Sequence, residues 1–146
     1  MIAIALSTFE KFQVTNRVKL IEGPAADTLN HLRGQFDIIF IDADKRGYKT
    51  YFDRILENGL LSKDGIILTD NSAPPILPLG VALLMIVLSR GLVVDNTESN
   101  PYQADDWRRR NGEAMKEFND HVAKDPRVEV VVLPLFDGLG LIRLKD

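Results

Sequence analysis

No cysteine occurs anywhere in the chain. Disulfides, thiolate metal sites and cysteine nucleophiles are therefore excluded, and the composition fits a reducing compartment. Histidine is scarce: His31 and His121 lie far apart with no ligand partner at short spacing, so both read as surface or packing residues. A basic excess is also missing, since 18 Lys and Arg face 21 Asp and Glu, for a formal net charge of −3. Without a positive field, neither nucleic acid nor an anionic membrane surface is an expected partner. Met1 to Phe12 has no basic leader and only a short apolar run, followed directly by Glu10 and Lys11, so it is not read as a secretory signal. The cytoplasm is the expected location. What remains is ordinary for a globular chain: 146 residues, 45% hydrophobic and 27% charged, enough for one domain with a sizeable core. No internal repeat or low-complexity tract is present.

Periodicity predicts the elements. Ile2, Ala5, Leu6 and Phe9 share one helical face, so Met1 to Phe12 reads as an amphipathic helix. Arg17 to Ile21 alternates and reads as a strand. After the turn at Glu22, Gly23 and Pro24, Ala25 to Leu32 reads as a short helix ending near Gly34. Phe36 to Ile41 (FDIIFI) and Gly65 to Thr69 (GIILT) are apolar runs of the kind buried on both faces of a parallel sheet. Between them Lys49 to Asn58 reads as a helix stopped by Gly59. This alternation predicts an α/β, doubly wound sheet. Further on, Gly91 to Asp106 reads as polar loop and Asp106 to Lys124 as a helix with Trp107, Ala114, Met115, Phe118 and Val122 at helical spacing. Val128 to Leu133 and Leu139 to Leu144 read as strands of a hairpin whose link contains Asp137 and Gly138.

Two polar clusters follow the buried strands, at the carboxyl ends where open α/β sheets bind ligands. The first is Asp42, Ala43, Asp44, Lys45; the second is Asp70, Asn71. Carboxylates packed side by side repel one another and lose hydration, so they need a cation or hydrogen-bond donors. Oxygen donors without His or Cys describe a hard-cation site suited to magnesium, manganese or calcium. The competing readings are a solvated acidic turn for the first cluster and a helix cap or turn pair for the second.

The runs EGPA (22–25), FDIIFIDADKRGY (36–48) and DGIILTDN (64–71), with the tail DPRVEVVVLPLFDGLGLIR (125–143), resemble the cation-dependent O-methyltransferases. That family includes the caffeoyl-CoA type and, more distantly, catechol O-methyltransferase. The resemblance covers Phe9 to Asn71 and Gly91 to Arg143 in matching order. It implies a Rossmann-like methyltransferase sheet closed by a C-terminal antiparallel hairpin. It also implies a methyl transfer from S-adenosylmethionine to a hydroxyl of a small catechol-like or phenylpropanoid aromatic. By the same resemblance Asp42, Asp70 and Asn71 match the metal ligands, and Asp44 matches a contact to the methionine end of the cofactor. Ala25 matches a backbone contact near the adenine, and Lys45 stands where the catechol enzymes carry their catalytic lysine. An ordinary solvated lysine is the competing reading of Lys45, and Tyr48 is expected to pack against the site.

Two departures from the family stand out. The usual glycine-rich turn after the first strand and the acidic residue after the second are not in this chain. The expected sheet is thus incomplete, lacking the two strands that would lie between Arg17–Ile21 and Phe36–Ile41. These two would then face empty edges or pair directly. The second departure is an apolar insertion at 72–89, short and proline-broken for a membrane span and read as a substrate-site loop, a buried helix over the exposed edge, or translated intron; membrane association through Ile76 to Leu88 is the weakest alternative. The chain therefore reads as a single partial methyltransferase domain over 1–146. The alternative is an inactive truncated paralogue that associates through its edges, as a homo-oligomer for instance. Trp107 reads as a pocket wall or as packing, and Arg108 to Arg110 as a solvated face.

Overall fold

The computed structural model describes residues 2–70, 72, 91–94, 104–133, 135 and 138–146. In chain order the elements are α1 (Ile2–Lys11), α2 (Ala25–His31), β1 (Phe36–Ile41), a 3-10 turn (Lys45–Gly47), α3 (Tyr48–Glu57), β2 (Leu61–Thr69), β3 (Gly91–Val94), α4 (Ala104–Lys124), β4 (Val128–Leu133) and β5 (Leu139–Leu144). The five strands form one sheet in the order β3-β1-β2-β5-β4. β1 pairs in parallel with β2 and β3, while β5 runs antiparallel to both β2 and β4. This is the expected α/β, Rossmann-like sheet, incomplete and closed by an antiparallel hairpin.

The apolar strands form a sheet because alternate side chains serve two faces. Ile39 and Ile41 of β1, Ile67 of β2 and Ile142 of β5 meet in one core. Against them pack Leu29 of α2, Tyr48, Phe52 and Ile55 of α3, and Met115, Phe118 and Val122 of α4. Edge-to-face contacts join the helices: Phe118 meets Tyr48 with ring centroids 5.5 Å apart and Phe52 at 6.2 Å. Such aromatic pairs contribute beyond area burial alone. The opposite face of the sheet carries Ile38, Phe40 and Ile66, all half-buried. α3 stops where expected. Gly59 takes the left-handed conformation at φ 61°, and the Leu60 amide donates back to the Ile55 carbonyl at 2.9 Å, closing the helix end.

Two sequence expectations fail here. Arg17 to Ile21 is not a strand: the chain turns at Val14 to Val18 through bonds to the Val14 carbonyl, and Val18, Leu20 and Ile21 are exposed. A strand needs a ladder partner, and the edge of β1 not used by β2 is taken by Gly91–Val94. That stretch was expected to be loop. The β-prone residues Leu92, Val93 and Val94 supply a strand inside an otherwise polar segment. β1 thus has neither an empty edge nor a direct pairing with 17–21. α1 forms as expected, but its apolar face is not enclosed: Ile4 and Leu6 are exposed, and Ala5 and Phe9 are half-buried. The insertion at 72–89, apart from Ser72, lies outside the described residues, as do Asn71 and Asp137. No helix among the described residues is long and apolar enough to cross a membrane.

The turn from α4 into β4 hangs on one side chain. Asp125 accepts from the Arg127 amide at 2.9 Å and from the Arg127 guanidinium, whose Nη2 lies 2.6 Å away. That guanidinium holds the Asp125 carboxyl below its ordinary value of 3.8. Asp125→Ala is expected to lower stability by about 1 kcal/mol in urea unfolding. Because the folded pKa is depressed, the wild-type advantage is present above the unfolded pKa and lost as pH falls through the folded value. The gap between wild type and variant should therefore close in acid, below about pH 3.8.

Candidate active site

The parallel register of β1 and β2 places Ile41 beside Thr69, so the residues that follow, Asp42 and Asp70, leave the sheet side by side. The Asp70 amide donates to the Ile41 carbonyl at 3.2 Å, extending the ladder by one bond beyond the strands. The chain after Asp42 then winds into the 3-10 turn. Asp44 caps that turn: one carboxylate oxygen accepts the Gly47 amide at 2.8 Å and the other accepts the Tyr51 hydroxyl. Gly47 is required there, because a Cβ would stand 2.4 Å from the Tyr51 ring.

The turn folds Lys45 inward over the start of α3. Its side chain is only 11% exposed, against 47% for Asp42. The Lys45 amine lies 2.5 Å from the Tyr48 hydroxyl and 3.4 Å from an Asp42 carboxylate oxygen. It also lies 4.6 Å from the centre of the Tyr48 ring. Tyr48 is fully buried, and its hydroxyl donates to the Ile41 carbonyl at 3.1 Å. Lys45 therefore sits on a buried phenol whose ring also meets Phe118 of α4 edge-to-face.

Opposed forces set the charge state of this lysine. Burial pushes its pKa down, and the carboxylates of Asp42, Asp70 and Asp44 pull it back up, with burial prevailing. Loss of hydration by enclosure thus lowers it within the chain itself. The same burial, with Asp42 adding to it, raises the Tyr48 phenol far above its usual pKa, so it stays neutral.

Four of the residues singled out from sequence thus converge: Asp42, Asp44, Lys45 and Asp70. Ala25 is the first residue of α2, partly buried against the core behind Pro24. Beside it an open cleft of about 550 Å³ runs along Lys19 to Pro24 and the α2 side chains Asp27, Thr28 and His31. Asn71 lies outside the described residues, as does the side chain of Trp107. Among the described residues no three His, Asp or Glu side chains gather as a metal-holding group. His121 bonds Asp53 at 2.7 Å and meets Phe52 edge-on, which joins α4 to α3 away from Lys45. Tyr48 was expected to pack, and it does, but its hydroxyl role was missed. Its spacing of three from Lys45 is the available signal, since residues at that spacing share a helical face. Ser72 and Asn119, which meet behind Asp70 at 2.8 Å, carry no local signal because they come from distant parts of the chain.

Comparison with known proteins supplies the ancestry. The family model described as O-methyltransferase matches residues 1–74 and 81–145. An O-methyltransferase of Aspergillus thermomutatus (ankF) is 34% identical over 149 residues, covering 99% of this chain and 56% of that protein. Caffeoyl-CoA O-methyltransferase 1 of Eucalyptus globulus is 32% identical over 145 residues, covering 96% of this chain and 51% of that protein. The SAH-bound structure of a Podospora anserina methyltransferase superposes with a TM-score of 0.75 at 40% identity, covering 99% of this chain and 56% of that one. The chain thus spans about half the length of these relatives. On this evidence the chain belongs to the O-methyltransferase family.

Proposed function

We propose that the chain is the acceptor-side portion of an O-methyltransferase that uses S-adenosylmethionine and a divalent cation, with a catechol-like or phenylpropanoid hydroxyl as acceptor. One observation supports this most: the carboxylates of Asp42 and Asp70 leave adjacent strand ends and both act on an enclosed lysine. The SAH in the Podospora structure and the caffeoyl-CoA in the Eucalyptus relative's name support the donor and the acceptor class.

The donor set suits the cation. Asp42 and Asp70 offer hard carboxylate oxygens on neighbouring backbones, the ligand type that magnesium, manganese and calcium take. Asn71 would complete the set. When bound, the cation would supply Lewis acidity that lowers the pKa of an acceptor hydroxyl, and S-adenosylmethionine an electrophilic methyl group. Lys45 is the chain's own proton acceptor, because enclosure favours its neutral amine and Tyr48 fixes where that amine points. The Lys45 amine would take up the acceptor's hydroxyl proton during the transfer. Tyr48, kept protonated, orients the lysine and does not compete for the proton. Asp44 and Ala25 would hold the methionine and adenine ends of the donor.

A second reading has its own support. Ile4, Leu6, Val18, Leu20, Ile21, Val131 and Val132 are exposed, apolar side chains that association would cover. Under that reading the chain is an inactive, oligomerising relative. Calorimetric titration with S-adenosylmethionine separates the two: binding that strengthens with magnesium supports the enzyme, and a folded oligomer that binds none supports the alternative.

Three substitutions test the site. Asp42→Ala and Asp70→Ala are each expected to abolish magnesium-dependent methyl transfer, assayed by S-adenosylhomocysteine release; full activity in both would refute the assignment. Tyr48→Phe keeps the ring packing but removes the hydroxyl shared by Lys45 and the Ile41 carbonyl. It should cost about 1–2 kcal/mol in urea unfolding and lower kcat more than it raises KM.

A further inference from the structure

The carboxylate of Asp70 can serve a site only if the chain that leaves β2 is held still, and a buried polar knot lies two residues beyond it. Ser72 is 2% exposed and Thr69 is 1% exposed. The Ser72 hydroxyl donates to the Thr69 carbonyl at 3.1 Å. It lies 2.8 Å from the Thr69 hydroxyl, which is then the donor of that pair, since the Ser72 proton is already engaged. The Ser72 amide donates to the Gly138 carbonyl in the hairpin link at 2.8 Å. Its carbonyl accepts the Asn119 side-chain amide of α4 at 2.8 Å. Every polar group of Ser72 is thus used, and by three different elements.

Gly140 makes room for this knot. A Cβ there would stand 2.2 Å from the Thr69 hydroxyl oxygen and 2.8 Å from that of Ser72. β5 can approach β2 this closely because it carries no side chain at that position. On the other side, the Asp70 amide is fixed to the Ile41 carbonyl of β1 at 3.2 Å. Asp70 is therefore fastened on both sides, to β1 through its own amide and to α4 and the hairpin through Ser72.

We propose that Ser72 and Asn119 are positioning residues for Asp70, setting the direction of its carboxylate toward Asp42 and so the cation affinity of the pair. This rests on the reading of Asp42 and Asp70 as cation ligands given above. Outer partners that orient metal ligands commonly change affinity by about 10–100-fold when removed, and a partner that acts through the backbone belongs at the lower end of that range.

Manganese binding to the full chain, followed by the loss of the free-ion electron spin resonance signal, reads this directly without any turnover. Ser72→Ala and Asn119→Ala should each weaken manganese binding by about tenfold and speed hydrogen exchange at the Asp70 amide. Leu29→Ala, a core truncation on α2, an element that makes none of the knot's bonds, is the control for general destabilisation and should leave manganese affinity unchanged. If Asp70→Ala abolishes binding while Ser72→Ala and Asn119→Ala bind as wild type, the positioning role is overturned and the cation site stands. If wild type binds no manganese, or Asp70→Ala binds as well as wild type, the cation reading itself fails and the positioning role falls with it. If Leu29→Ala weakens binding as much as the two knot variants, the effect is one of stability and the proposal is overturned.

Discussion

A single main-chain oxygen, that of Ile41, ties the candidate site together. It accepts the Asp70 amide from β2 and the Tyr48 hydroxyl from α3, using both of the lone pairs a carbonyl offers. Through the first bond it brings the two acidic strand ends level. Through the second it seats the phenol on which Lys45 rests. The constraint beneath both is the register of β1 against β2. A slip of one residue would turn Ile39 and Ile41 out of the core and Asp42 away from Asp70 at the same time. Packing therefore enforces the site: the core stabilises only the pairing that aligns the carboxylates.

Lys45 shows how the fold and the chemistry share one compromise. An ammonium taken out of water loses hydration, and partly buried ion pairs recover only some of that loss. Three carboxylates surround the lysine, yet its pKa is still lowered, because the enclosing wall of Tyr48 and the sheet end removes more hydration than the acids replace. A lysine held by acids alone would stay charged and serve as a counter-ion. Enclosure moves it toward the range in which an amine can exchange a proton.

The sequence was most legible where one physical rule acted alone. β1, β4 and β5 have the bounds that their apolar patterns predicted, while α2 differs by one residue at its C-terminal end and α3 by one at each end, where glycine at 59 and the Pro24 turn punctuate the chain. It was least legible where a partner decided the outcome. Arg17 to Ile21 has the alternation of a strand but no edge to join, whereas Gly91–Val94 sits in polar surroundings and becomes a strand because β1 offers one. The same division holds at the site. Asp42, Asp44, Lys45 and Asp70 were marked by their place after buried strands. The hydroxyl of Tyr48 and the knot of Ser72, Thr69 and Asn119 depend on tertiary contacts between residues up to 47 positions apart, which no local pattern announces.

The seating of Gly91–Val94 against β1 has a topological consequence. Along Ile38 to Ile41 that side of β1 is taken up by the pairing, and a second strand cannot lie there at the same time. In a longer relative whose sheet places another strand beside the counterpart of β1, the segment equivalent to 91–94 must lie elsewhere. The two arrangements are mutually exclusive occupants of one berth.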